Sequence, residues 1–395
     1  MAIELWDIAL LLLGAKIGGS IFSKLRQPSL VGELLAGIVL GSVFGLVTNS
    51  LSIQIVANLG IMFLILLTTM SIDFKKIDKE LEKLVAIQVI TAAIIFAALV
   101  VIFKVMSMDF NLSLVLAVAI FGSSTSIAAR TLMTMDVINS KEGQAIIGLQ
   151  IVNGIIELLL ISAVVNVLQY QTLAIEPLVR LVLMIIGTVV VMSRIGTRFI
   201  NWVFNYIQRF KMEEVLLAFT LLFAFISAAV AQKAGVTSFL GIMLVGMLLS
   251  RTQQALTISQ KIKELGESFF IPIFFASLGL GVSIAGLTSN LGFLALLLAT
   301  LTAIRFIAYV IPIKLMDFSF SESLKVGAGL LSMSEYGLVI LSIGITFNVV
   351  SNNFYSVFVV VFLLINIISP LFIKLMFRLR PSAYKKNWGK KGVWN

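Results

Sequence analysis

The sequence predicts an all-α polytopic membrane protein of about 13 transmembrane helices, arranged as an inverted repeat with two discontinuous helices that cross. Three observations carry this reading. Of the 395 residues, 59% are hydrophobic and only 12% charged, whereas a soluble domain has about 25% charged residues. The apolar residues gather into runs of roughly 20, the length that spans a hydrocarbon core. Two of these runs are interrupted by glycine and hydroxyl residues at matched places, about 210 residues apart. The same composition excludes a soluble enzyme. The absence of cysteine excludes a disulfide scaffold. With no histidine either, carboxylates are left as the natural proton carriers, and no cofactor is expected.

Taken in order, the first run, about 5–23, lacks a small-residue cleavage site and is followed by further spans, so it reads as a helix and not a signal peptide. Lys16 within it reads as an interface or headgroup contact. The second, about 28–48, contains Glu33, read as bonded to nearby backbone or to Arg26. The third and fourth, about 54–72 and 84–106, are separated by Asp73–Lys83, where four acids and four lysines make a solvated loop. The fifth, about 112–134, and the twelfth, about 322–346, are the interrupted runs. The sixth, about 143–169, has Gln150, Asn153 and Glu157 at i, i+3 and i+7, a polar face on an otherwise apolar helix. The others lie at about 177–197, 213–233, 237–250 (short), 268–287, 291–316 and 354–377.

Orientation follows from the basic residues, which stay on the cytoplasmic side. The tail holds Arg378, Arg380, Lys385, Lys386, Lys390 and Lys391, which places it inside and, with an odd number of helices, the N-terminus outside. Every second loop counted back is basic, while the turns at 49–53, 107–111, 170–176, 288–290 and 347–353 contain no Lys or Arg. Only Lys233 is on the wrong side. The net charge of +10 is explained by these loops without invoking nucleic acid.

The repeat shows at several points in the same order. Leu35-Ala-Gly-Ile-Val-Leu-Gly-Ser42 parallels Leu244-Val-Gly-Met-Leu-Leu-Ser-Arg251, and Gly122-Ser123-Ser124 corresponds to Ser332-Met333-Ser334. An odd number of helices separates the copies, so they are inverted, a transporter signature with the binding site expected between them. Ser and Thr compete for backbone hydrogen bonds, and irregular backbone at membrane depth is tolerated only inside protein or along a cavity. The stretch Gly122–Ser126 therefore marks an ion site, with Ser124 and Thr125 as candidate ligands; close helix packing by small residues is the alternative. Glu157, Arg305 and Glu335 lie near mid-membrane and need partners or a wet pocket. Arg305 reads equally as a counter-ion to Glu157 or Glu335 and as a direct participant in transport.

Pro28-Ser-Leu-Val-Gly-Glu-Leu-Leu-Ala-Gly-Ile-Val-Leu-Gly41 resembles the second-helix signature of the monovalent cation/proton antiporters. Ser123-Ser124 through Arg130, Glu142-Gly143-Gln144, Phe269–Leu280 and Leu331–Glu335 are similar to later motifs of the branch holding bacterial sodium/proton antiporters and glutathione-gated potassium efflux systems. The resemblance covers about residues 8–378. It implies a homodimer in a prokaryotic plasma membrane, with a scaffold part at about 1–72 and 213–287 and an ion-transporting core at about 84–169 and 291–377. A linking helix at about 177–197 and a short cytoplasmic tail at 378–395 complete the chain. It further implies exchange of protons for a monovalent cation, sodium favoured over potassium or lithium, by elevator-type alternating access. In that family the sixth helix carries an adjacent pair ending in an acid; the aligned residues here are Asn153 and Gly154. Glu157, one turn further, is the expected substitute, with the cation near Glu157 and Asn153. Arg305 matches the position of a lysine in electrogenic members, and Glu335 a family glutamate. One carboxylate predicts electroneutral exchange. The tail is too short for the nucleotide-binding domain of the potassium-efflux branch, so such gating is not expected. The competing readings are a non-transporting or sensor homologue that has lost the ion site, and an organic-anion symporter on a related fold.

Overall fold

The computed structural model describes residues 5–25, 27–70, 81–105, 109–170, 213–233, 237–252, 254–284, 291–316 and 318–379. The expected linking helix at 177–197, the loop at 73–80, the tail beyond 379, and Arg26, Arg198, Arg209 and Lys211 lie outside the described residues. Those described are helical, apart from short connections and one isolated antiparallel bridge. Among the described residues, seven helices are long and apolar enough to cross a membrane, and four shorter apolar helices accompany them. Chain composition had required this, because a spanning segment must satisfy its own backbone within lipid.

The helices fall into two compact units. The first contains α1 (Leu5–Lys24), α2 (Ser29–Ile38, continued by a π turn at Val39–Val43) and α3 (Leu51–Met70). Glycines set its packing. A methyl group on Gly18 would collide with the carbonyl of Gly32, and one on Gly32 with that of Gly18, so α1 and α2 approach backbone to backbone. Lys16 donates to the Glu267 carbonyl at 2.6 Å.

The remaining helices in chain order are α4 (Leu81–Val105), α5 (Phe110–Phe121), α6 (Thr125–Thr134), α7 (Lys141–Tyr170), α8 (Glu213–Lys233), α9 (Ser238–Leu249), α10 (Ala255–Leu265), α11 (Ile271–Leu280), α12 (Leu291–Leu315), α13 (Phe320–Gly329), α14 (Tyr336–Thr346) and α15 (Asn352–Leu379). Helices α8 to α11 belong to the first unit with the second half of α7, from Gly154. α10 was not foreseen. Its sequence is strongly charged, and only Ile258 and Ile262, one turn apart, are buried. A π turn at Gly266–Phe270 joins it to α11, which ends at Leu280, earlier than the run to 287 suggested. There the Ser283 N–H, freed from the helix, donates to Ser356 Oγ at 2.8 Å.

The second unit comprises the described residues within 81–153, 291–337 and 360–379. It therefore holds α4 to α6, the first half of α7, α12, α13 and the greater part of α15. Its core joins Ile87, Leu132, Ile146, Leu149, Tyr309 and Phe377 with their neighbours. Helix starts are set locally. Asp109 accepts from the Asn111 N–H before α5, and Ser319 with Glu322 forms a capping box on α13. The two interrupted runs are each split into half-helices: α5 and α6 around Gly122–Ser124, α13 and α14 around Leu330–Glu335.

Candidate functional site

The two breaks meet inside the second unit. Ser123 and Met333 pair as an antiparallel bridge, with Ser124 N–H donating to Ser332 O (3.3 Å) and Ser334 N–H to Gly122 O (3.1 Å). These are the residues that the sequence repeat had matched. Because the bonds fall on the flanking residues, the N–H groups of Ser123 and Met333 themselves point outward from the pair. Each is taken by an asparagine: Asn153 Oδ1 accepts from Ser123 N–H, and Asn366 Oδ1 from Met333 N–H, both at 2.8 Å.

The half-helices end in orphan carbonyls, which carry the negative end of the helix dipole. At α5 the Phe121 carbonyl accepts from the Tyr309 hydroxyl and from Asn153 Nδ2 (3.3 Å). At α13 the guanidinium of Arg305 serves the same purpose. Its Nη2 donates to Leu330 O (3.1 Å) and Ser332 O (2.8 Å), and its Nε to Leu331 O (3.2 Å). Arg305 and Tyr309 are one turn apart on α12 and both fully buried, so a single face of α12 supports both breaks.

Gln150 bridges them. Its Nε2 lies 3.2 Å from Ser124 O, 3.3 Å from Ser123 Oγ and 3.4 Å from Gly329 O, three acceptors shared by two hydrogens. Asn153 Nδ2 likewise faces Gln88 Oε1 and the Tyr309 hydroxyl, each at 3.1 Å, besides Phe121 O. Gln88 in turn donates to Leu149 O at 2.9 Å. The amide of Asn153 is thus occupied in bracing the first break.

The other predicted residues are placed as follows. Ser124 is buried, its hydroxyl 3.2 Å from that of Ser126, while Thr125 is exposed at the first position of α6. Glu335 is partly exposed in the turn before α14. Glu157 is 1% exposed, four residues beyond Asn153 on α7, in the half of that helix that belongs to the first unit. The structure therefore gathers Ser124, Gln150, Asn153 and Arg305 around the crossing. Among the described residues no three acidic side chains cluster as a metal site. Oxygens for a monovalent cation would come from carbonyls, hydroxyls and single carboxylates.

Four residues escaped the sequence reading. Gln88, Tyr309 and Asn366 are lone polar groups in apolar runs, which is itself a signal of interhelical bonding. Lys325 forms a buried ion pair with Glu142, Nζ to Oε1 2.7 Å, both side chains 3% exposed. Beside it the more exposed Lys141–Glu322 pair, 3.0 Å, joins the same two helix starts.

Comparison with known proteins agrees with this architecture. Residues 9–379 match the family model described as sodium/hydrogen exchanger, transmembrane. The Na(+)/H(+)-K(+) antiporter GerN of Bacillus cereus is 23% identical over 384 residues, 96% of this chain and 98% of that protein. The Na(+)/H(+) antiporter of Enterococcus hirae is 26% identical over 371 residues, 93% of this chain and 96% of that one. The solved structure of the sodium proton antiporter MjNhaP1 from Methanocaldococcus jannaschii superposes with a TM-score of 0.72 at 12% identity, over 95% of this chain and 96% of that one; it establishes the fold. With crossed breaks, apolar spans and a family match over nearly its whole length, the chain belongs to the sodium/hydrogen exchanger family of membrane transporters.

Proposed function

We propose that this protein exchanges protons for a monovalent cation, sodium in preference to potassium or lithium, across a prokaryotic plasma membrane. It works as a homodimer by elevator-type alternating access, N-terminus outside and C-terminus in the cytoplasm. The mobile core in this proposal is the part at about 84–169 and 291–377, and the scaffold the part at about 1–72 and 213–287. The observation that carries the reading is Glu157, a buried carboxylate on the helix whose Asn153 braces the first break. Exchange by competition needs a group that holds either a proton or a cation. Asn153 does not ionise, its amide is committed to the break, and Gly154 has no side chain. Glu157 takes the role, with Ser124 and Thr125 as candidate oxygens at the head of α6, and Gln150, Arg305 and Glu335 as polar supports.

One carboxylate trading one proton for one monovalent cation moves no net charge, so exchange is electroneutral. Below the pKa of Glu157 the proton wins and transport falls; above it the cation competes. In proteoliposomes with a pH-sensitive dye, sodium should drive proton flux that a potassium–valinomycin clamp leaves unchanged, and Glu157→Gln should abolish it. Normal exchange by Glu157→Gln would remove this residue as the carrier, and a flux that follows the imposed potential would require a second titrating site. The Asn-Gly pair favours one other reading, a non-transporting or sensor homologue, which silence with sodium, lithium and potassium would support.

A further inference from the structure

We infer that Asn366 is a positioning residue for the second break, the counterpart on α15 of Asn153 on α7. The main chains of the two breaks are joined by Ser124 N–H to Ser332 O and Ser334 N–H to Gly122 O, and Ser332 Oγ adds a side-chain bond to Ser124 O at 3.3 Å. Its central residues, Ser123 and Met333, turn their N–H groups away from each other. A buried N–H without an acceptor is costly, and in lipid no solvent relieves it. Met333 is fully buried and so is Asn366. Asn366 reaches back 33 residues to Met333 as Asn153 reaches back 30 to Ser123, at the same 2.8 Å. Both breaks are therefore held by one device: a cross-bond on one side and an asparagine carbonyl on the other. The device fixes where the Leu330–Ser332 carbonyls stand, and those are the groups that Arg305 holds. Losing Asn366 frees Met333, and through it the geometry of the break on which Arg305 acts.

The inference rests on the exchange reading only for its effect on transport, and two separate measurements keep the two apart. In the full chain in detergent, hydrogen exchange of the peptide spanning Met333 should speed up about tenfold in Asn366→Ala, the loss of one buried bond at about 1.4 kcal/mol per decade. The peptide spanning Ser123 should be little changed, and Asn153→Ala should give the reverse pattern. Asn366→Asp, which keeps an acceptor oxygen, should retain protection at Met333. In proteoliposomes, Asn366→Ala should lower the maximal sodium-driven proton flux about tenfold, and Asn366→Asp should restore most of it. Unchanged exchange at Met333 in Asn366→Ala overturns the clamp. Faster exchange with undiminished flux overturns its positioning role. A wild-type protein silent to every cation overturns the antiport reading and leaves the exchange comparison to decide Asn366.

Discussion

Replacing Lys325 by Met tests how the second unit is tied together at the starts of α7 and α13. In the native structure Lys325 Nζ sits 2.7 Å from Glu142 Oε1, both side chains are 3% exposed, and the ammonium lies 5.6 Å from the centre of the Phe377 ring. Removing one partner of a buried pair costs about 3–5 kcal/mol, because the remaining charge is left without compensation. Glu142 is in the first turn of α7, where the helix dipole favours an acid by up to about 1 kcal/mol. The net loss should then be about 2–4 kcal/mol, or roughly 30-fold to 1,000-fold in the folded-to-unfolded ratio. Lys141→Met is the internal control. Its pair with Glu322 is 3.0 Å long but 51% and 24% exposed, so its loss should cost no more than about 1 kcal/mol. Lys325→Met with Glu142→Met should recover most of the stability, since a well-packed apolar pair of similar volume is close to neutral. Titration with sodium dodecyl sulfate in mixed micelles, followed by tryptophan fluorescence, measures all four proteins. The reasoning fails if Lys325→Met is no worse than Lys141→Met, or if the double variant is as unstable as the single.

Other parts of the molecule give equally definite expectations. Ser124→Ala with Thr125→Ala should raise the cation concentration for half-maximal flux while leaving the melting temperature in detergent near wild type; an unchanged half-saturation removes both from the ion site. Arg305→Lys keeps the charge but not the planar fork that reaches three carbonyls, and should cost about 1–3 kcal/mol in the same titration, with Arg305→Ala costing more. Tyr309→Phe takes away the donor to Phe121 O and should destabilise by about 1–3 kcal/mol, mainly by leaving that carbonyl unsatisfied; equal stability would show that Asn153 alone suffices there. Gly32→Val drives a side chain into the Gly18 carbonyl, and should prevent recovery of folded protein by size-exclusion chromatography.

Sequence revealed what lipid enforces and concealed what depends on side chains meeting at long range. The apolar runs were legible because a span must be long and uncharged, and the breaks because Gly122–Ser126 offers the backbone competing partners. The repeat offset even matched Ser123 with Met333, the pair that the bridge joins. α10 was hidden because two buried isoleucines among charged residues look like a basic loop. Glu142 and Lys325 are separated by 183 positions, and nothing in the code near either residue names the other as its partner. Asn366 and Tyr309 bond to main-chain groups, whose positions no residue code records. The polar face of α7 was visible, but not that Asn153 and Gln150 hold the crossing while Glu157 lies in the other unit.

A ladder built from main chain asks little of the side chains it carries. At the crossing a small hydroxyl, Ser123, stands opposite a long thioether, Met333, yet both cross-bonds form. Neither main-chain bond draws on the side chains of Ser123 or Met333, so the two paired positions differ without unpicking the join. The pairing is also self-complementary, since rotation by half a turn exchanges donor with acceptor.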